Sequence, residues 1–260
     1  MEFLLFNIKD KDFAIETSKV LEILRPKDVT SIPEVPEYIW GVMNIRGNIG
    51  TVISFRKLMG YKELSEEEHT NTQSFIKAHN DYELDLRECL KTGNEFKRTL
   101  DHTKCALGKW IIEKSSCLSC DEDSLNIIKT KLIPAHKAFH DSAASAIKKQ
   151  KNGESYEQEL TNISSYHTTV EEMIRAFDDN IVQWTNALQR IITIKNSKDE
   201  TLNILVDSVE DIVKAKDGDL QKLDKVSRDD VVRFDSAIEL EDGKIATVIS
   251  DCIINEDDIG

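Results

Sequence analysis

The chain has 260 residues, with 34 Lys and Arg against 48 Asp and Glu, a net charge of −14. That length supplies one or two domains with ample core, and a strongly acidic balance without a Lys/Arg block argues against nucleic acid as a partner. The opening apolar run is only five residues and follows Glu2, too short for a signal peptide, and no stretch approaches the roughly 20 apolar residues of a membrane span, so a cytoplasmic protein without direct membrane insertion is expected. Five cysteines, an odd number without a regular framework, fit reduced thiols and metal chemistry better than disulfides.

Residues 1–60 read as β-structure. Phe3 and Leu5 alternate with Leu4, Phe6 and Ile8 in a run apolar on both faces; Lys9 to Asp12 is a polar turn, and Phe13-Ala14-Ile15 completes a hairpin. Val20 to Leu24 follows, then a loop fixed by Pro26, Pro33 and Pro36. Trp40 to Ile45 leads into an Arg46-Gly47 turn, and Ile49 to Phe55 is the next strand, closed by a short cap over Arg56 to Gly60.

The insertion, residues 66–188, is helical by pattern. Glu66-Glu67-Glu68 reads as a solvated charge run at a helix start or linker. Phe75, Ile76, His79, Tyr82, Leu86, Cys89 and Leu90 recur at helical spacing, as do Leu132, His136, Phe139, His140, Ala143 and Ile147, so these three histidines are expected to face inward. Pro134 is expected either to open the second of these helices or to kink it. Tyr156, Leu160, Ile163, His167, Val170, Ile174, Phe177, Ile181, Trp184 and Leu188 alternate four and three apart, the pattern of one continuous helix of about 50 Å, a rigid lever running into the tail.

The tail, residues 189–260, repeats the plan of residues 1–65. Ile191 to Ile194, a turn over Asn196 to Glu200, and Leu202 to Val206 form a second hairpin; Val209 to Val213 corresponds to Val20 to Leu24, and Glu239 to Ser250 echoes Asn44 to Ser54 with one extra turn residue. This is an internal duplication interrupted by an insertion.

Within the insertion, His136 and His140 are four apart, so on a helix both imidazoles leave one face and can share one ion. Cys105 and His79 are candidates to complete a tetrahedron, because a borderline ion such as Zn²⁺ accepts mixed sulfur and nitrogen donors. A core histidine with satisfied hydrogen bonds is the ordinary alternative for each ring taken singly. Cys117 and Cys120 form a rival C-x₂-C-x₁₅-H-x₃-H set with the same pair, disfavoured by the acidic Asp121-Glu122-Asp123 that follows, or else a resolving dithiol for an oxidised Cys105. His167 could replace a ligand but reads as packed core; His69 and His102 have no assigned role. Lys137 stands where an H-E-x-x-H hydrolase carries its Glu, and no Walker loop, G-x-S-x-G elbow or dinucleotide fingerprint is present, so no enzyme is expected.

Cys105, Leu107, Gly108 and Trp110, with His79 before them and His136 and His140 after, resemble the chemoreceptor zinc-binding (CZB) family, with its lone His, Cys-x-Leu-Gly-x-Trp box and His-x-x-x-His pair on a helical bundle. The resemblance implies Zn²⁺ held by His79, Cys105, His136 and His140, with Cys105 the redox-reactive member. The two β-rich parts resemble the CheW coupling proteins of bacterial chemotaxis through Phe13-Ala14-Ile15 with Val20 and Glu22-Ile23, Gly41-Val42 with Asn44-Ile45-Arg46-Gly47, and Val206-Asp207-Ser208-Val209. Where this family carries a Pro and an acidic residue before the short helix, this chain has Thr51 and Ser54. The expected fold is therefore α+β: two small CheW-like β-barrels interrupted by an antiparallel four-helix-bundle-like domain. The resemblance implies a scaffold linking chemoreceptor signalling tips to the histidine kinase CheA at membrane-associated receptor arrays, with Val20, Glu22 and Arg46 as partner-binding positions. The combined expectation is a zinc-thiolate sensor responding to oxidants such as hypochlorous acid. A reversible zinc-concentration sensor and a structural zinc module supporting a homodimer are the alternatives, with a metal-dependent hydrolase last.

Overall fold

The computed structural model describes residues 1–115, 126–216, 218–228 and 231–253. The chain divides into two compact units, one of residues 1–64 with 185–260 and one of residues 65–184.

Among the described residues the first unit holds eleven strands: β1 (Glu2–Ile8), β2 (Lys11–Glu16), β3 (Val20–Leu24), β4 (Ile39–Ile45), β5 (Asn48–Ser54), β6 (Arg190–Lys195), β7 (Thr201–Val206), β8 (Ser208–Lys214), β9 (Leu220–Arg228), β10 (Val232–Glu239) and β11 (Ile245–Cys252). They form a six-stranded sheet in the order β8-β1-β2-β11-β10-β9 and a five-stranded sheet in the order β3-β6-β7-β5-β4. The repeated parts are thus interleaved. The β1–β2 hairpin lies parallel against β11 of the later half, and the β6–β7 hairpin lies parallel against β5 of the earlier half.

β1 is buried on both faces because each face meets a different core. Leu4, Phe6 and Ile8 join Phe13, Ile53, Phe55, Ile192 and Ile204 in the core shared by both sheets, while Phe3 and Leu5 pack with Ala14, Ile238 and Val248. The other sheet has its own second cluster, Met43, Val52, Ile191 and Leu205. The expectation of barrels is corrected here: among the described residues the two sheets remain open, with β8 and β9 as edges of one and β3 and β4 as edges of the other. Lending a hairpin to the opposite sheet takes from each half the strands it would need to close on itself.

Three features fix this unit, two local and one long-range. Arg46 and Gly47 have φ of 51° and 92°, so the β4–β5 loop is a two-residue turn with both central residues left-handed, and the Asn44 side chain accepts the Gly47 N–H. After β5, the Ser54 hydroxyl caps the short helix α1 (Phe55–Leu58) by accepting the Lys57 N–H. Buried Arg56 then makes two hydrogen bonds to Asp207, at 2.6 and 2.7 Å, tying the two halves of the sequence together.

The second unit contains most of α2 (Leu64–Thr92), then α3 (Ala106–Ser115), a π-helical turn over Ile128–Leu132, α4 (Ile133–Lys151) and α5 (Glu157–Asp179); α6 (Ile181–Leu188) follows. Tyr82, Leu86 and Leu90 of α2, Phe139, Ala143 and Ala146 of α4, and Ile163 of α5 form one core. α2 runs antiparallel to α5, since Thr72 bonds Asp178, Glu83 bonds His167 and the Tyr156 hydroxyl bonds Leu90. Of the two roles expected for Pro134 the structure shows the first: it lies in the opening turn of α4, the helix that bears the histidine pair, and the π-helical turn leads directly into it.

The single long helix is also corrected. The chain leaves helical geometry at Asn180, with φ −114° and ψ 20°, and resumes as α6. The apolar spacing persists across the break, but Asn180 turns its amide back onto the Ala176 carbonyl, and Asp178 is drawn to α2, where Thr72 and Gln73 donate to its carboxylate. α5 alone has 23 residues, about 35 Å at helical rise.

Candidate metal centre

Each residue of the Cys-x-Leu-Gly-x-Trp box has its own task. Cys105 caps α3: its carbonyl accepts the Lys109 N–H at 3.0 Å and its Sγ accepts the Gly108 N–H at 3.3 Å. Leu107 is core. Gly108 lies so close to the preceding turn that a Cβ there would stand 1.8 Å from the His102 carbonyl oxygen, a contact only glycine escapes. Trp110 packs edge-on with Phe75 and Phe177 and tilted against Trp184, and donates its indole N–H to Glu68 at 2.8 Å.

Glu68 corrects the sequence reading of that acidic run. Glu66 and Glu67 stand in the first turn of α2, but Glu68 is 3% exposed, held between Trp110 and the Lys114 ammonium at 2.9 Å. It locks the start of α2 onto α3.

This packing brings together one ligand atom from each of His79, Cys105, His136 and His140, all within 4.8 Å of one another. The three histidines are buried, and Cys105 is half-buried. The His79 Nδ1–H donates to the Phe75 carbonyl at 2.8 Å, which fixes the tautomer and leaves Nε2 as the lone-pair nitrogen, the way metal-bound imidazoles are oriented. His136 Nε2 is 3.2 Å from Cys105 Sγ. Neither ring nitrogen of His140 has a hydrogen-bond partner among the described residues. A buried imidazole left so costs about 1–3 kcal/mol per lost partner, which a ligand on that nitrogen would offset.

The electrostatics suit a cation. Burial, with His79, His140 and His102 nearby, pushes the His136 imidazolium down to about 2; burial, with His79 and His102, pushes His140 down to about 4; burial also lowers His79. The rings are therefore neutral at physiological pH, the form that ligates. Burial raises the Cys105 thiol, against the N–H groups of Gly108 and Leu107, so forming the thiolate calls for a positive charge beside it. The donor set of three imidazoles and one thiol fits Zn²⁺.

The other sequence candidates lie elsewhere. His167 stands apart from the four: its Nδ1 bonds Glu83 at 2.6 Å and its ring packs on Phe139. His69 is exposed and bonded to Asp178. Cys117 and Cys120 lie outside the described residues. In the β unit, Val20 packs partly buried against the shared core, and Arg46, 78% exposed, pairs with Glu22 at 2.8 Å. Beside them on edge strand β3, Leu21 and Ile23 are exposed. Among the described residues no helix is long and apolar enough to cross a membrane.

Residues 2–76 match the family model for the CheW-like domain. The chain is 38% identical over 81 residues to the chemotaxis protein CheW of Helicobacter pylori, covering 31% of this chain and 48% of that protein. It is 36% identical over 69 residues to the CheW of Klebsiella aerogenes, covering 26% and 42%. The CheW of Bacillus subtilis is 34% identical over 84 residues, covering 32% and 52%. The crystal structure of the scaffolding protein TtCheW from Thermoanaerobacter tengcongensis covers 95% of this chain and 87% of its own at 12% identity, with a TM-score of 0.43. This chain spans about half the length of the curated relatives it matches. Over its first strands it is similar to chemotaxis proteins of the CheW type.

Proposed function

We propose that this protein is a non-enzymatic coupling scaffold of the CheW type, linking chemoreceptor signalling tips to the histidine kinase CheA in cytoplasmic arrays, with a CZB-like zinc-thiolate oxidant sensor in its helical unit. The scaffold reading is supported by the similarity of residues 2–76 and by the exposed Leu21 and Ile23 beside the Glu22–Arg46 pair on an edge strand. One observation carries the sensor reading: four soft or borderline donors converge in a buried core where the ring nitrogens of His140 have no hydrogen-bond partner among the described residues.

Zn²⁺ held by His79, Cys105, His136 and His140 would keep Cys105 as thiolate at neutral pH. The rest follows from the chain. Cys105 is half-buried, so a small oxidant reaches it while the histidines stay covered. Hypochlorous acid takes an electron pair from the sulfur: RS⁻ + HOCl gives RSOH + Cl⁻, sulfur losing two electrons and chlorine gaining them. A sulfenic acid is a poorer donor and a poorer cap for the Gly108 N–H, so the start of α3 loosens from α4. Sequence continuity through Asn180 and α6 then links the helical unit to β6.

The test is zinc per chain under chelator competition, before and after graded hypochlorous acid, in wild type, Cys105→Ser and the Cys117→Ser/Cys120→Ser double variant. One zinc per chain, intact in the double variant and bound more weakly both in Cys105→Ser and after oxidation, so that less chelator is needed to remove it, is expected. Zinc lost only in the double variant overturns the ligand set. Zinc indifferent to oxidant overturns the sensor in favour of a structural module.

A further inference from the structure

His102 is not among the four clustered ligands, and yet its ring approaches them. Its centroid lies 5.9 Å from that of His136, nearly perpendicular at 80°. The rings within the cluster stand 5.2 Å (His79–His136), 4.9 Å (His136–His140) and 6.1 Å (His79–His140) apart. His102 is thus as near to His136 as the clustered rings are to one another.

Its backbone is pinned and its ring is not. The His102 carbonyl receives the Cys105 Sγ–H at 3.4 Å and is the atom that forces glycine at position 108, so the residue is fixed three positions before Cys105. The ring is half-exposed, in a turn outside any helix, and takes no hydrogen bond among the described residues. A side chain on a fixed backbone with a free ring can swing by rotation about χ1 and χ2 alone.

We propose that His102 is a reserve ligand, replacing Cys105 when the sulfur donor is lost. This rests on the zinc reading above. Oxidation of the thiolate by hypochlorous acid, RS⁻ + HOCl to RSOH + Cl⁻, removes the anionic donor; the His102 imidazole, which is neutral when it ligates, then supplies a nitrogen in its place, a donor a borderline ion also accepts. The exchange converts a Cys-His₃ set into a His₄ set. It removes one negative charge from the buried cluster and frees the start of α3 while the His79, His136 and His140 rings keep their ligand. Oxidation would thereby change shape and charge without unfolding the core around Phe139.

The experiment is a double-mutant cycle on the full chain, read by Co²⁺ affinity and absorption, in wild type, His102→Ala, Cys105→Ser and the double variant, with His102→Asn as a second replacement. Alanine keeps the carbonyl under Gly108, and helical circular dichroism checks the fold. His102→Ala is expected to change affinity less than about twofold with Cys105 present and to lower it about tenfold or more in the Cys105→Ser background. Cys105→Ser is expected to lose the sulfur charge-transfer band and keep tetrahedral d–d bands, which the double variant loses. An equal fold-change in both backgrounds, or a Cys105→Ser protein that holds no Co²⁺, overturns the reserve role while leaving the four-ligand site standing. A wild type that holds none fails the metal reading itself, and the reserve role with it.

Discussion

The two units bury polar groups differently. In the β unit the buried polar side chains answer one another: Arg56 bonds Asp207, the Thr193 hydroxyl bonds Asn203 at 3.0 Å, and Ser54 caps α1. In the helical unit Glu68 is paired in the same way with Trp110 and Lys114, but His140 has no protein partner for either nitrogen among the described residues, and three other donors face it. A buried polar pair marks structure. A buried imidazole without a hydrogen-bond partner, gathered with three other ligand atoms, marks a place for a ligand.

The sharpest way to break this contrast is to remove one side of the Arg56–Asp207 pair. Asp207→Ala leaves the guanidinium buried and is expected to destabilise the β unit by about 3–5 kcal/mol with metal affinity unchanged, as thermal unfolding and zinc titration would read. A loss of zinc would show that the polar groups of the two units are not independent. Gly108→Ala is expected to cost about 1–3 kcal/mol, from the overlap at the His102 carbonyl, and to weaken zinc binding as the start of α3 shifts. Zinc affinity at the wild-type level would contradict the role given to that close approach.

Glu68→Gln is expected to cost about 2 kcal/mol, since it removes the buried charge that faces Lys114, leaving the exposed Glu113 at 3.1 Å, while keeping an acceptor for Trp110. The comparison is sharpened if zinc affinity falls with it, because Glu68 holds α3, the helix that Cys105 caps.

The smallest effect expected is pH-dependent. Burial would raise the Asp178 carboxyl, but hydrogen bonds with Thr72, His69 and Gln73 outweigh it and hold it below the usual carboxylate range. The folded state thus binds this proton less readily than the unfolded one. The stability it contributes is present above the unfolded value of about 3.9 and is lost as pH falls through the folded value. Asp178→Asn should therefore lower the melting temperature at pH 7 and do so less at pH 3; equal shifts at both pH values would contradict the assignment.

Much of the β unit was legible because alternation and turn chemistry are local. β1, β2, β6 and β7 follow from apolar runs broken by polar turns, and the Arg46-Gly47 turn from its glycine. The exchange of hairpins between sheets was not, because partners such as β2 and β11 are more than two hundred residues apart and nothing in either strand specifies the other. β9 and β10 were not read from the sequence; in β9, Leu220, Leu223 and Val226 recur every third residue rather than in the alternation that marks a strand. In the helical unit, inward periodicity and the His-x-x-x-His spacing singled out the three histidines, and ligand chemistry with the Cys-x-Leu-Gly-x-Trp resemblance singled out Cys105; the fold brings the four together. Glu68 was hidden inside a run of glutamates, and the break at Asn180 beneath an apolar pattern that crosses it unchanged. Burial of one charge among three, and the pull of Asp178 toward α2, are decided by tertiary packing.

The most direct test is native mass spectrometry of the intact chain, wild type beside His136→Ala/His140→Ala. One zinc per wild-type chain and none in the double variant, with helical content retained in both, is the predicted result. A zinc-free wild type, or a double variant that still carries its zinc, would contradict the account.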